Sequence, residues 1–178
     1  TMALIVTCPL FLIVSILVKK NGGPAFYKQD RLTKDGKVFK VIKFRSMRVN
    51  DTQDSAWSMR VDNRRTWFGS FLRKYSLDEL PQFINIIRGD MSLVGPRPEM
   101  LENVSEYEKE LPEFKYRLRM KAGLTGLAQV MGRYNTSSRD KLILDLIYIE
   151  DFSIMADIRI LFRTIMVLFK AEDSTKGF

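Results

Sequence analysis

The sequence predicts a mainly helical α+β domain held at a membrane surface. Three observations predict it. The first 18 residues, TMALIVTCPLFLIVSILV, carry no charge and end at Lys19-Lys20. One strand–turn–strand pattern follows, and the rest of the chain is dominated by helical apolar spacing. Two of those helical stretches are both apolar on one side and rich in Arg or Lys around it.

The opening run, as a helix, would be about 27 Å long, close to the hydrocarbon thickness of a bilayer. It lacks the basic start and small-residue cleavage site of a signal peptide, and it opens in mid-run, as a trimmed start would. Pro9 stands at its centre, where it removes a backbone bond and kinks or breaks a helix. Hydropathy leaves three readings: a kinked spanning helix, a broken re-entrant helix and a buried core helix.

Asn21-Gly22-Gly23-Pro24 is loop punctuation. FYKQ (26–29) and VFKVIKF (38–44) flank a Lys34-Asp35-Gly36-Lys37 turn and predict a β-hairpin. Residues 49–62 are polar and turn-like. DNRRTWFGSFLRKYS (62–76) places Trp67, Phe68, Phe71, Leu72 and Tyr75 at helical spacing among Arg64, Arg65, Arg73 and Lys74. That pattern fits an interfacial helix and equally a surface helix with its apolar face in the core. Residues 81–88 predict a short helix ending at Gly89. GDMSLVGPRP (89–98) reads as a rigid loop, 99–119 as a charged helix, and AGLTGLAQVMGR (122–133) as a glycine-punctuated loop. Residues 138–150 predict a helix. Ile154, Ile158, Leu161, Phe162, Ile165, Leu168 and Phe169 predict a final one, with Arg159, Arg163 and Lys170 around it.

Composition removes whole classes of chemistry. The 178 residues suffice for one domain with a sizeable core. They include no histidine, which excludes a Ser-His-Asp triad, a histidine base and His-ligated zinc. The single cysteine, Cys8, excludes disulfides within the chain and Cys-rich metal sites. Any reactive groups must then be carboxylates, Lys, Arg, Ser/Thr, Tyr or an oxygen-bound cation. The net charge of +8 favours anionic partners: phosphorylated small molecules, acidic lipid or nucleic acid. Nucleic acid is the weakest of these, because no nucleic-acid fold signature accompanies the charge and the apolar start argues against it.

One short stretch concentrates the chemistry. SLDELPQ (76–82) fits an S-x-x-E capping box, with Ser76 as N-cap and Glu79 at N3. Pro81 would then be the fifth helical residue, so a cap at Asp78, with Pro81 at N3, fits the proline better. In either register the acids start a helix, whose dipole favours the ionised carboxylate. Capping accounts for one acid and does not require two. An ionised carboxylate can also attack phosphorus to form an acyl phosphate, or bind Mg²⁺. Phosphoryl transfer further needs cations on the phosphate oxygens. Lys43, Arg45, Arg73, Arg88, Arg97 and Arg133 flank the acids or lie in the Gly/Pro loops. Arg97 is the least ordinary of them, because prolines on both sides pin its backbone.

KFRSM (43–47), SLDELPQ (76–82), GDMSLVGPRP (89–98) and AGLTGLAQVMGR (122–133), in that order, resemble the bacterial sugar transferase family. Its members are monotopic phosphoglycosyl transferases that act on polyprenyl phosphate. The resemblance implies transfer of a sugar 1-phosphate from a UDP-sugar to undecaprenyl phosphate, with release of UMP, as the first membrane step of a surface glycan. It implies that Asp78 attacks the sugar-bearing phosphate in a ping-pong sequence, and that Glu79 helps hold Mg²⁺ or positions Asp78, the two acids forming the metal site. Lys43, Arg73, Arg97 and Arg133 match the family's phosphate-binding basic positions, and Asp157 in IMADIR matches a recurring acid of open role. It implies a broken re-entrant helix over 1–20 and a catalytic domain over 21–178 on the cytosolic face of the bacterial inner membrane. A homo-oligomer is compatible with it.

Three departures accompany the resemblance. Cys8-Pro9 stands where the family has Ser-Pro, Leu127 where many members have tryptophan, and basic residues before the helix are absent. A catalytically silent membrane scaffold that uses the same basic surface is the competing reading. No residue selects among glucose, galactose and N-acetylated amino sugars.

Overall fold

The computed structural model of the chain describes residues 2–20, 23–47, 66–132 and 137–169, with side chains between 11 and 168. The polar stretch 49–62, the first residues of the 62–76 segment, Arg133 and Lys170 lie outside the described residues.

Helix α1 (Met2–Lys20) is one element, so Pro9 does not end it. Its described part is two-faced. Val14 and Val18 are buried against Ala25, Phe44 and Leu72, and Phe11 stacks within a three-ring cluster with Phe26 and Phe44. Leu12, Ile13 and Ile16, on the other side, are each more than half exposed, so α1 is not a buried core helix. Among the described residues no helix is long and apolar enough to cross a membrane.

The predicted hairpin is present. Strands β1 (Phe26–Leu32) and β2 (Val38–Phe44) pair antiparallel, from Phe26 opposite Phe44 to Leu32 opposite Val38. The tight turn is met by Asp35 and Gly36, both at positive φ, where a glycine costs least. Because side chains alternate along a strand, this register puts Gln29, Arg31, Val41 and Lys43 on one face.

Helix α2 (Trp67–Lys74) begins at Thr66, whose hydroxyl accepts from the Gly69 amide at 2.9 Å. Leu72 is fully buried beneath it, worth roughly 1.5–3 kcal/mol of transfer free energy. A single 3₁₀ turn, Leu77–Glu79, leads through the buried Pro81 into α3 (Gln82–Ile87). Neither expected cap forms: Ser76 is left-handed at φ 53° and makes no side-chain cap bond, and Pro81 holds the N-cap position of α3. Leu77 and Leu80 anchor the turn by packing on the α1–Phe44–Leu72 cluster. Asn85 then ties α3 to the hairpin, accepting from the Ile42 amide at 3.0 Å and donating to the Lys40 carbonyl at 2.8 Å.

The two Gly/Pro loops hold an unexpected parallel pair, β3 (Ser92–Val94) with β4 (Gly123–Thr125). The backbones approach closely: the Gly95 amide donates to the Thr125 carbonyl at 2.9 Å, and the Gly123 amide to the Pro96 carbonyl at 2.9 Å. A Cβ on Gly123 would overlap the Gly95 amide nitrogen and backbone that cannot retreat. Gly123→Ala is therefore expected to lower stability by at least about 2 kcal/mol, read as a fall in thermal unfolding midpoint. An unchanged midpoint would show that the loops are not held in this arrangement.

The predicted 99–119 helix is split. Helix α4 (Leu101–Glu110) stops at Leu111, and Pro112, with no amide hydrogen to continue the ladder, starts a 3₁₀ stretch to Arg119. After β4, α5 (Leu127–Met131) replaces part of the expected loop. Helix α6 (Ser138–Glu150) has the predicted bounds and starts at a Ser137 cap, and α7 (Ile154–Phe169) closes the chain's described part. Ile160 is buried with Val94 and Tyr148. Ile154, Met155, Ile158, Phe162, Ile165 and Met166 all remain about half exposed or more.

Candidate active site

The hairpin, the 3₁₀ turn and the loop after β3 meet at one point. Lys43 from β2 lies 2.7 Å from the Glu79 Oε1 atom, and Arg97 Nη2 donates to the same oxygen at 3.2 Å. Less than a third of each of these side chains is exposed. Arg31, Val41, Gln82, Pro98, Gly123 and Leu124 complete the lining of a narrow pocket around them. Three cations thus surround one carboxylate in a partly desolvated cleft, which strengthens every charge interaction within it.

The two adjacent acids are driven apart electrostatically. Burial opposes ionisation of Glu79, but the Arg97 guanidinium and the Lys43 ammonium more than compensate and hold its pKa down at about 2. Asp78 has the reverse balance. Burial and then the Glu79 charge push it up to about 6, with Lys43 and Arg73 only partly offsetting them. The expectation that a helix dipole stabilises the charge of Asp78 is therefore corrected: the acid lies in a three-residue turn, and its environment disfavours the charge. Asp78 is still mostly ionised at neutral pH, as a carboxylate of raised basicity. The two neighbouring acids thus differ in charge balance, Glu79 held ionised by its cation partners and Asp78 shifted the other way.

The other cations have definite places. Arg73 Nε donates to the Ser46 hydroxyl at 2.8 Å, which links α2 to the KFRSM segment. Arg97 is held from behind, its carbonyl accepting from Arg117 Nη2 at 2.8 Å. Arg117 is itself buried, 2.7 Å from Asp145 and 3.7 Å from Glu99. The Asp145 contact is a close buried ion pair, and Arg117 Nε has no hydrogen-bond partner among the described residues. Burial pushes the Asp145 carboxyl up to about 6 despite that arginine.

Asp157 is joined to a different group: it accepts from the Tyr148 hydroxyl at 2.7 Å, where α6 meets α7. Arg133 lies outside the described residues. The structure thus brings Lys43, Asp78, Glu79 and Arg97 together, with Arg73 close enough to act on Asp78. Two features escaped the reading of the sequence. Arg31 was recoverable, since the hairpin register places it on the face of Lys43. The Arg117–Asp145 pair was not, since nothing distinguishes it within charged stretches.

The donor set suits a hard divalent cation. Among the described residues no group of three or more acids gathers. Mg²⁺, however, is commonly held by one or two carboxylates plus substrate phosphates. The mutual repulsion of Asp78 and Glu79 is the kind of charge a cation relieves.

A family model described as "Bacterial sugar transferase" matches residues 1–171. Galactosyl transferase CpsE of Streptococcus agalactiae is 43% identical over 164 residues, covering 85% of this chain and 36% of that protein. The UDP-N-acetylgalactosamine-undecaprenyl-phosphate N-acetylgalactosaminephosphotransferase of Aeromonas hydrophila is 39% identical over 165 residues, 90% of this chain and 39% of its own length. The UDP-glucose:undecaprenyl-phosphate glucose-1-phosphate transferase of Caulobacter vibrioides is 39% identical over 173 residues, 93% of this chain and 65% of its own. The chain therefore spans little more than a third of the first two. The three names carry three different sugars at similar identity, so overall similarity selects none of them.

Proposed function

The chain belongs to the bacterial sugar transferase family, and from that premise we propose that it transfers a sugar 1-phosphate from a UDP-sugar to undecaprenyl phosphate. The observation that carries this reading is the split acid pair beside Lys43 and Arg97. Asp78 is the nucleophile. A carboxylate oxygen attacks the phosphorus that bears the sugar, an aspartyl–phosphosugar bond forms, and the bond to UMP breaks with its electron pair leaving on UMP. An oxygen of undecaprenyl phosphate then attacks the same phosphorus, and the carboxylate is released unchanged. No proton need be moved in either displacement at neutral pH, which suits a site without histidine.

Lys43 and Arg97 neutralise the phosphate oxygens during both displacements, and Glu79 keeps the two cations aimed at one point between substrates. Asp78 and Glu79 are the residues that would hold Mg²⁺. When bound, the ion supplies charge neutralisation for the diphosphate.

The exposed apolar side of α1, the Trp67–Phe71–Tyr75 side of α2 and the apolar side of α7 supply a membrane contact. Lys19, Lys20, Lys74, Arg159 and Arg163 supply headgroup charges. In this reading the exposed apolar side of α1 rests in one leaflet, and the site lies on the cytosolic face of the bacterial inner membrane.

The test is release of UMP from a panel of UDP-sugars in the presence of undecaprenyl phosphate. One donor is expected to release UMP over many turnovers when the lipid phosphate is present, and no more than one equivalent per enzyme without it. EDTA should abolish the activity and Mg²⁺ restore it. Full activity in chelator would remove the metal, and no UMP release from any donor would remove the function.

A further inference from the structure

Arg31 lies outside KFRSM (43–47), SLDELPQ (76–82), GDMSLVGPRP (89–98) and AGLTGLAQVMGR (122–133), yet it lines the same pocket as Lys43, Glu79 and Arg97. Two bonds orient its guanidinium. Nη1 donates to the carbonyl of Pro98, the residue after Arg97, at 3.2 Å, and Nη2 donates to Gln29 Oε1 at 2.7 Å. Gln29 is fixed in turn by a 3.3 Å contact from its amide to the Met100 sulfur. Both acceptors are neutral. Among the described residues no carboxylate comes within 4.0 Å of Arg31, whereas Lys43 and Arg97 share Glu79.

A planar five-donor cation that spends one bond from each terminal nitrogen on neutral oxygens keeps further N–H groups for an anion. Burial, and then the neighbouring Arg97 charge, make its protonated form less favourable than in water. The fold thus brings two guanidinium groups to one pocket, where the Glu99 and Glu79 charges only partly offset what burial and the Arg97 charge do to Arg31. A phosphate entering between them would relieve that repulsion and take up bidentate bonds.

We propose that Arg31 is a substrate-phosphate ligand that clamps, together with Arg97, a phosphate group in the pocket between the hairpin and the loop after β3. This rests on the reading of the chain as a sugar-phosphate transferase. The phosphate is either the diphosphate of the sugar donor or the monophosphate of the lipid acceptor, and one experiment separates them.

Wild type and Arg31→Gln, both in detergent, are titrated with inorganic pyrophosphate and, separately, with a short-chain polyprenyl phosphate. Loss of about 10- to 100-fold in affinity for pyrophosphate alone assigns Arg31 to the donor. The same loss for polyprenyl phosphate alone assigns it to the acceptor, and loss for both assigns it to a site the two phosphates share. A folded Arg31→Gln protein that binds both probes as wild type does overturns the proposal, as does a wild type that binds neither. Should Arg31→Gln not fold, Arg31→Lys decides. It keeps the charge but loses the fork, so unchanged affinity for both probes overturns the clamp, and a weaker one supports it. Transfer activity is measured alongside. A wild type that turns over UDP-sugar while Arg31→Gln binds normally leaves the function standing and removes only this assignment. A wild type with no transfer activity on any donor removes the function itself.

Discussion

Asp78→Asn lowers sugar-phosphate transfer at least about a thousandfold and at the same time stabilises the fold. The loss follows from chemistry, since an amide oxygen cannot form the acyl phosphate. The gain follows from linkage. The folded pKa of Asp78 is raised from 3.8 to about 6, so between those values the native state binds more protons than the unfolded one. Stability contributed at this site is present in full below pH 3.8 and is lost as the pH rises through about 6. At neutral pH the ionised group therefore costs the fold up to about 3 kcal/mol, and the neutral amide removes that cost. Thermal unfolding should show a midpoint several degrees higher at pH 7.5, with the difference vanishing near pH 4. Wild-type rate should fall tenfold per unit below the pKa of Asp78, which a bound cation would lower from about 6, measured on the first displacement, where the lipid phosphate does not contribute its own titration. A folded Asn variant of near wild-type rate would rule out Asp78 as the nucleophile.

Glu79→Gln is expected to lower activity about a hundredfold, and with the opposite effect on stability. The folded pKa of Glu79 is depressed from 4.5 to about 2, so its contribution is complete above about 4.5 and is lost as pH falls through about 2. At neutral pH the amide leaves Lys43 and Arg97 without their shared anion, which costs about 1–3 kcal/mol. Removing the Glu79 charge also removes one of the two causes that raise Asp78. The residual activity should therefore keep its acid limb, displaced below that of the wild type. A variant with reduced activity and an unmoved limb would mean that the two acids do not act on one another as the geometry requires.

The hairpin and helix α7 were legible because each carries its own period, 2.0 or 3.6, over enough residues to stand out. The β3–β4 pair was not legible. Its strands are three residues each, rich in glycine nearby, and pair across a long stretch of chain, so no local pattern marks them. Pro112 was a visible stop signal in the 99–119 segment, and the charged helical pattern on both sides concealed it. At the site, residue type and motif order identified Lys43, Asp78, Glu79 and Arg97. The S-x-x-E spacing suggested a cap that Ser76's left-handed backbone does not make. The charge state of Asp78 could not be read from the sequence because it depends on burial in the fold and on the charges of Glu79, Lys43 and Arg73 around it. Arg31 was hidden by emphasis on motifs, although the parity of the hairpin carried it to Lys43.

The central claim is a covalent bond between Asp78 and the phosphosugar, and intact-protein mass spectrometry tests it most directly. Wild type incubated with its UDP-sugar and Mg²⁺ without lipid phosphate should gain the mass of one phosphosugar, with peptide mapping placing it on Asp78. Undecaprenyl phosphate should then discharge it. Asp78→Asn should gain nothing. Turnover by wild type with no added mass under any quench, or with the mass on another residue, would contradict the account.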